Sequence, residues 1–174
     1  LSSNKKILFL LSPNLSYEEM QNIKIFGTKF NANISGYSPD TFDENFGDDF
    51  LRKVDKTPNR ASFSELEIDE SKEYFEESLK DSTLVFVLEN SYFENNSKLL
   101  ENKKVVSMFS HNCLTLGFSN IAIPLSSFYE KSGTYINCDR IKQKVISKIS
   151  KDAPSNTVTS VLESLKAMIE KGMI

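Results

Sequence analysis

Apolar residues fall in short unbroken runs separated by polar stretches, and this pattern organises the whole chain. Residues 7–11 (Ile-Leu-Phe-Leu-Leu), 84–88 (Leu-Val-Phe-Val-Leu), 104–109 (Lys-Val-Val-Ser-Met-Phe) and 121–125 (Ile-Ala-Ile-Pro-Leu) are too short for buried helices. They do not alternate, so each is expected to be a strand buried on both faces, as in a parallel sheet. Residues 33–37 are a further candidate strand. Between the runs the spacing turns helical. Ser16-Tyr17-Glu18-Glu19 reads as a capping box, and Met20, Ile23, Gly27 and Phe30 then share one face, with Gly27 allowing close approach to the sheet. A second helix is expected over 69–80, with Tyr74, Phe75, Ser78 and Leu79 inward, and a short polar one over 94–102. Val158, Val161, Leu162, Leu165, Met168 and Ile169 form an amphipathic stripe that Gly172 ends.

Alternating strands and helices predict an α/β, Rossmann-like, mostly parallel sheet of about five strands with flanking helices. The expected division is a domain over 1–150 and a C-terminal amphipathic helix over 151–174 packed on it. Residues 38–69 break the pattern as a long irregular insertion, acidic over 40–49, of the sort that wraps a partner.

Composition narrows the class. The chain has 174 residues, enough for one core. A net charge of −3 disfavours nucleic acid as the main partner, and no apolar run approaches the ~18 residues of a membrane span. The first residue is Leu1, so the sequence is expected to be a piece of a longer protein. Cys113 and Cys138 are the only cysteines and His111 the only histidine. They supply no Cys-x-x-C, and no metal site is expected. Cys113 is expected to pack and His111 to lie in a loop. The turn Ser12-Pro13-Asn14-Leu15-Ser16 has no glycine, so it lacks a phosphate-cradling fingerprint. Arg140, Lys142, Lys144, Lys148 and Lys151 form a basic stretch read as a solvated face.

One stretch is more specific. After the run at 121–125 come Glu130-Lys131-Ser132-Gly133-Thr134 and then Asn137. This resembles the "EK-x-GT-x-x-N" segment of the molybdopterin oxidoreductase superfamily. Asp55-x-x-Pro58-Asn59 resembles the "D-x-x-PN-x-x-G" insertion of one branch, the large iron–sulfur subunit of NADH–quinone oxidoreductase, respiratory complex I; Ser62 stands where that pattern often has glycine. The beginning, Ser12-Pro13 to Glu18-Glu19, is also similar to that branch.

The resemblance implies a non-catalytic scaffold from the C-terminal half of such a subunit. It implies no catalytic residue and no cofactor here, the iron–sulfur clusters belonging to a missing N-terminal part. The partners would be that part and other peripheral-arm subunits, without membrane insertion or nucleic acid, and the place cytoplasmic, associated with the membrane through the parent complex. Glu130, Lys131, Gly133, Thr134 and Asn137 would shape the signature loop, with Gly133 at positive φ and Asn137 tying down nearby backbone. A rival reading is an active molybdopterin enzyme in which Asn137 and Arg140 touch the cofactor. The family runs "N-T-E-G-R-V-Q" where this chain has Asn137-Cys138-Asp139-Arg140-Ile141-Lys142-Gln143, which argues against it. A free-standing small-molecule module is the other rival; Ser12, Glu89 and Ser110 do not make the acidic pocket that a response-regulator-like version needs.

Overall fold

The computed structural model describes residues 6–147 and 156–172. In chain order the elements are β1 (Ile7–Leu11), α1 (Tyr17–Lys29), β2 (Asn33–Ser35), α2 (Ala61–Glu65), α3 (Lys72–Asp81), β3 (Leu84–Leu88), β4 (Lys104–Phe109), β5 (Ile121–Pro124), β6 (Gly133–Ile136), β7 (Lys142–Val145) and α4 (Val158–Glu170). The first five strands form one all-parallel sheet in the order β2-β1-β3-β4-β5. This is the α/β architecture expected from the unbroken apolar runs.

Successive side chains of each strand point to opposite faces, so both faces of the central strands need apolar residues. Ile7, Phe9 and Leu11 of β1 meet Phe86 and Leu88 of β3 and Val106 and Met108 of β4 on one face. Met20 and Ile23 of α1, Phe63 of α2, and Val158 and Leu162 of α4 cover them. Phe9 and Phe86 stack at 4.5 Å between centroids. On the other face Leu8, Leu10, Val85, Val87, Val105 and Phe109 lie under Phe75 and Leu79 of α3 and under Phe93 and Leu100 of the β3–β4 connection. Gly27 does allow close approach: a Cβ there would meet Ile34 Cδ1 of β2 at 2.8 Å.

Two expectations change. The run at 121–125 is not a buried strand. β5 is the sheet's edge and its residues are largely exposed, with only the following Leu125 buried. A single 3-10 turn, Leu114–Phe118, takes the place of a crossover helix before it, so little covers that end of the sheet. The polar stretch 94–102 is likewise two 3-10 turns, Ser91–Glu94 and Ser97–Leu100, rather than one helix. The stripe at 158–169 does form α4, with Val158 and Leu162 buried and Asn22 of α1 donating to Thr159 at 3.0 Å. The division expected at 150/151, and Lys148 and Lys151 of the basic stretch, lie outside the described residues.

The chain runs from β1 outward to β2, then back across to β3 and on to β5. Loops leaving β1 and β3 therefore diverge to opposite faces, and a crevice opens at the carboxyl ends of these two strands. That is the usual ligand position in an open α/β sheet.

Candidate functional site

Two groups of residues meet at this end of the sheet. The first is the hairpin formed by β6 and β7, paired antiparallel from Gly133–Val145 to Ile136–Lys142. Residues 133–136 of the stretch expected as a loop are thus strand, and Lys131, Gly133 and Thr134 dock it onto the start of α1. Lys131 donates to Glu19 at 2.9 and 3.3 Å, with both side chains only 5% exposed. Glu19 also accepts the Ser16 N–H at 2.9 Å, closing the capping box that the sequence indicates. Thr134 donates to Glu18 through its N–H at 2.8 Å and its hydroxyl at 2.6 Å. Burial works against the charged form of Glu18, but these two bonds, its own backbone N–H and the charge of Lys144 together outweigh it and hold its carboxyl below the usual range. Glu130 accepts from the Ser127 N–H and hydroxyl, each at 2.8 Å, shaping the turn before the hairpin.

Gly133 does not adopt positive φ; among the described glycines only Gly172 does. Its role is close approach. A Cβ at position 133 would lie 2.5 Å from the Cβ of Ser16. Gly133→Ala is therefore expected to lower stability by about 1–3 kcal/mol through overpacking, read as an earlier urea midpoint at unchanged m-value. A midpoint equal to the parent's would remove the close-approach role.

The positive φ sits instead at Arg140, at 60°. Asn137 behaves as expected, its amide oxygen accepting the N–H groups of Asp139 at 3.0 Å and Ile141 at 2.9 Å across the hairpin turn. Counted from Asn137, Arg140 occupies the glycine position of the family's "N-T-E-G-R" pattern. Left-handed backbone at this position favours glycine over a residue with a side chain. Arg140→Gly should raise stability by about 1 kcal/mol; a thermal midpoint that falls would contradict this.

Asn59 ties the insertion to the hairpin. Fully buried, it donates to Leu15 O at 2.6 Å and accepts from Ile136 N–H at 2.6 Å and the Ser62 hydroxyl at 2.5 Å. The rest of the insertion divides in two. Phe63, Leu66 and Ile68 are core residues, whereas Phe50 is 89% exposed and Leu51 is also exposed. The stretch 59–68 is thus packed into the domain, and the exposed apolar residues belong to the part of the insertion before it.

The second group surrounds Glu89, the residue that follows β3. Its φ is 53°. The neighbouring Asn90 is buried and donates to Leu11 O at 2.8 Å and to Ser38 at 2.7 Å, fixing the chain as it leaves the strand. Glu89 accepts the Ser110 N–H at 2.7 Å, and its other oxygen lies 3.5 Å from His111 Nδ1. The Glu89 side chain is 7% exposed and that of His111 62%. Together with Asn14, Pro58, Ser110, Phe128 and Lys131 they line a cleft of about 380 Å3. Behind Phe128 lies the buried Tyr135, its ring 5.2 Å away; burial and the carboxylates of Glu19, Glu18 and Glu89 push its phenol up. Cys113 packs half-buried against the core, as expected.

The candidate residues thus separate. Lys131 lines the cleft, Gly133 and Thr134 lie against α1, and Asn137 and Arg140 form the hairpin turn rather than any part of the cleft wall. The Glu89–His111 pair and the bridging role of Asn59 were not drawn from the sequence. A lone Glu closing an apolar strand, with the only histidine just past the next strand, was the available signal. Among the described residues no group of three His, Cys, Asp or Glu side chains could hold a metal ion, and no helix is long and apolar enough to cross a membrane. Set against protein-family models and against curated proteins, the chain matches none of them.

Proposed function

We propose that the chain is a non-catalytic scaffold domain of the large iron–sulfur subunit of a complex I-type quinone oxidoreductase, fed by NADH or another donor. One observation carries this reading. Lys131, Gly133 and Thr134 seat a hairpin on the first turn of α1, where a Rossmann-type domain would receive a cofactor's phosphate. Glu18 and Glu19 make that turn acidic, and Ser16 caps it. The residues that resemble a cofactor-associated signature are spent on shape. Asn137 gives its amide oxygen to its own turn, and Arg140 stands at a backbone position that favours glycine, which weighs against the molybdopterin-enzyme reading. Phe50 and Leu51, exposed at the tip of an insertion whose root is buried, suit a partner-facing segment.

On this reading iron–sulfur clusters belong to another part of the parent subunit. The neighbours are that part and other peripheral-arm subunits, and the domain reaches the membrane only through the complex, on its cytoplasmic side. Tagged chain produced with the peripheral-arm subunits of such a complex is expected to co-purify with them, and to lose them when residues 42–54 are replaced by a short Gly-Ser link. Chain isolated with stoichiometric molybdenum, iron or flavin would overturn the reading.

A further inference from the structure

The cleft at Glu89 shares Lys131 with the hairpin docking, but Glu89 itself takes no part in that docking, and its chemistry is specific enough to name an occupant. We propose that it receives a guanidinium group, the side chain of an arginine presented by a partner protein. The identity of the partner rests on the scaffold reading; the chemistry of the site does not.

Charge comes first. Lys131 lines the cleft, but its charge is matched by Glu19 at 2.9 Å. Glu89 has no such match. One carboxylate oxygen takes the Ser110 N–H; among the described residues the other has only His111, at 3.5 Å, within ion-pair distance. A carboxylate with 7% of its side chain exposed has lost most of its water, and a charge-assisted partner restores what burial removed.

Geometry favours arginine over lysine. Phe128, 41% exposed, puts an aromatic ring among the residues that line the cleft. A planar guanidinium stacks on such a ring while its fork reaches a carboxylate, whereas an ammonium remains a hydrated point charge. Asn14 and Ser110, also among the lining residues, carry side-chain oxygens of the kind that accept from guanidinium N–H groups.

A purely structural account of Glu89 is weaker. Its backbone is in the left-handed region, where glycine or asparagine fits at lower cost. Capping one N–H of Ser110 does not need a charge, because a neutral amide oxygen does the same.

The test titrates the chain with acetyl-arginine amide, followed by amide NMR, with acetyl-lysine amide and a free pterin base as comparison probes. Expected are saturable shifts at Ser110 and His111 with the arginine probe, weaker binding of the lysine probe, and no competition from the pterin. Glu89→Gln, which keeps an acceptor for Ser110, should weaken arginine binding about tenfold, equivalent to ~1.4 kcal/mol. Urea unfolding checks that this variant keeps the parent's stability. If it is unstable, Phe128→Leu takes its place, with the same loss of arginine preference expected. Glu94→Gln, in the adjacent cleft beyond His111, should bind as the parent does. Shifts that never saturate, equal response to both amino-acid probes, equal binding by Glu89→Gln, or displacement by the pterin would each overturn the proposal. Arginine binding without co-purification of peripheral-arm subunits would leave the site standing and remove the scaffold reading; the reverse result would do the opposite.

Discussion

Lys131→Ala is expected to lower the unfolding free energy by about 3–5 kcal/mol, a large share of the ~5–15 kcal/mol that holds a domain folded. The size follows from burial. Lys131 and Glu19 are each 5% exposed and meet at 2.9 Å. Removing the ammonium leaves a carboxylate under the hairpin with the Ser16 N–H as its remaining donor. The pair itself need not stabilise the fold by that amount, since desolvating two charges offsets most of their attraction. The double variant Lys131→Met, Glu19→Gln separates the two quantities. Glutamine keeps the capping-box contact to Ser16, and methionine keeps the volume, so most of the lost stability should return. Urea unfolding of the parent, both single variants and the double variant gives the coupling energy directly. Hydrogen exchange at the Tyr135 and Ile136 amides would report whether the hairpin detaches before the sheet unfolds. A loss under about 1 kcal/mol for Lys131→Ala, the range of an exposed pair, would mean that water reaches the pair and that the hairpin is held by other contacts.

The sheet was legible because its signal is local. Five-residue apolar runs such as 7–11 and 84–88 carry no polar residue to face water, so they belong inside a parallel sheet wherever they sit in the chain. The start of α1 was legible for the same reason, Ser16 and Glu19 being three residues apart. What the pattern could not carry was position in the sheet. Residues 121–125 look much like the others, yet β5 is the last strand, and its exposure depends on what lies beside it. Gly133 and Arg140 show the same limit at a single residue. Glycine in a polar stretch reads as a turn, but this one is a strand residue whose missing Cβ makes room for Ser16, more than a hundred positions earlier in the chain. The left-handed backbone expected at Gly133 is found instead at Arg140, in the turn between β6 and β7. The Glu89 cleft was hidden for a related reason: Asn14, Glu89, His111 and Phe128 come from four separate connections, and only the strand order brings them together.

Asn59→Ala is expected to cost about 3 kcal/mol, from two buried backbone groups losing their partner at about 1–3 kcal/mol each. Asn59 uses both ends of its amide: the nitrogen serves Leu15 O, in the loop after β1, and the oxygen serves Ile136 N–H in β6 and the Ser62 hydroxyl in α2. Three segments remote in sequence are joined through one side chain that is 0% exposed. Alanine removes all three bonds, and the site is too enclosed for water to replace them without rearrangement. Aspartate is the sharper control. It keeps the acceptor for Ile136 and Ser62, but has no donor for Leu15 O and brings a carboxylate into the core. Asn59→Asp should therefore be at least as destabilising at neutral pH and recover partly in acid, where protonation restores a donor and removes the charge. Equilibrium unfolding at two pH values, on the parent and both variants, reads the sign. If Asn59→Asp matched the parent at neutral pH, the bond to Leu15 would contribute nothing, and the insertion would be attached to the hairpin without being anchored to the first strand of the sheet.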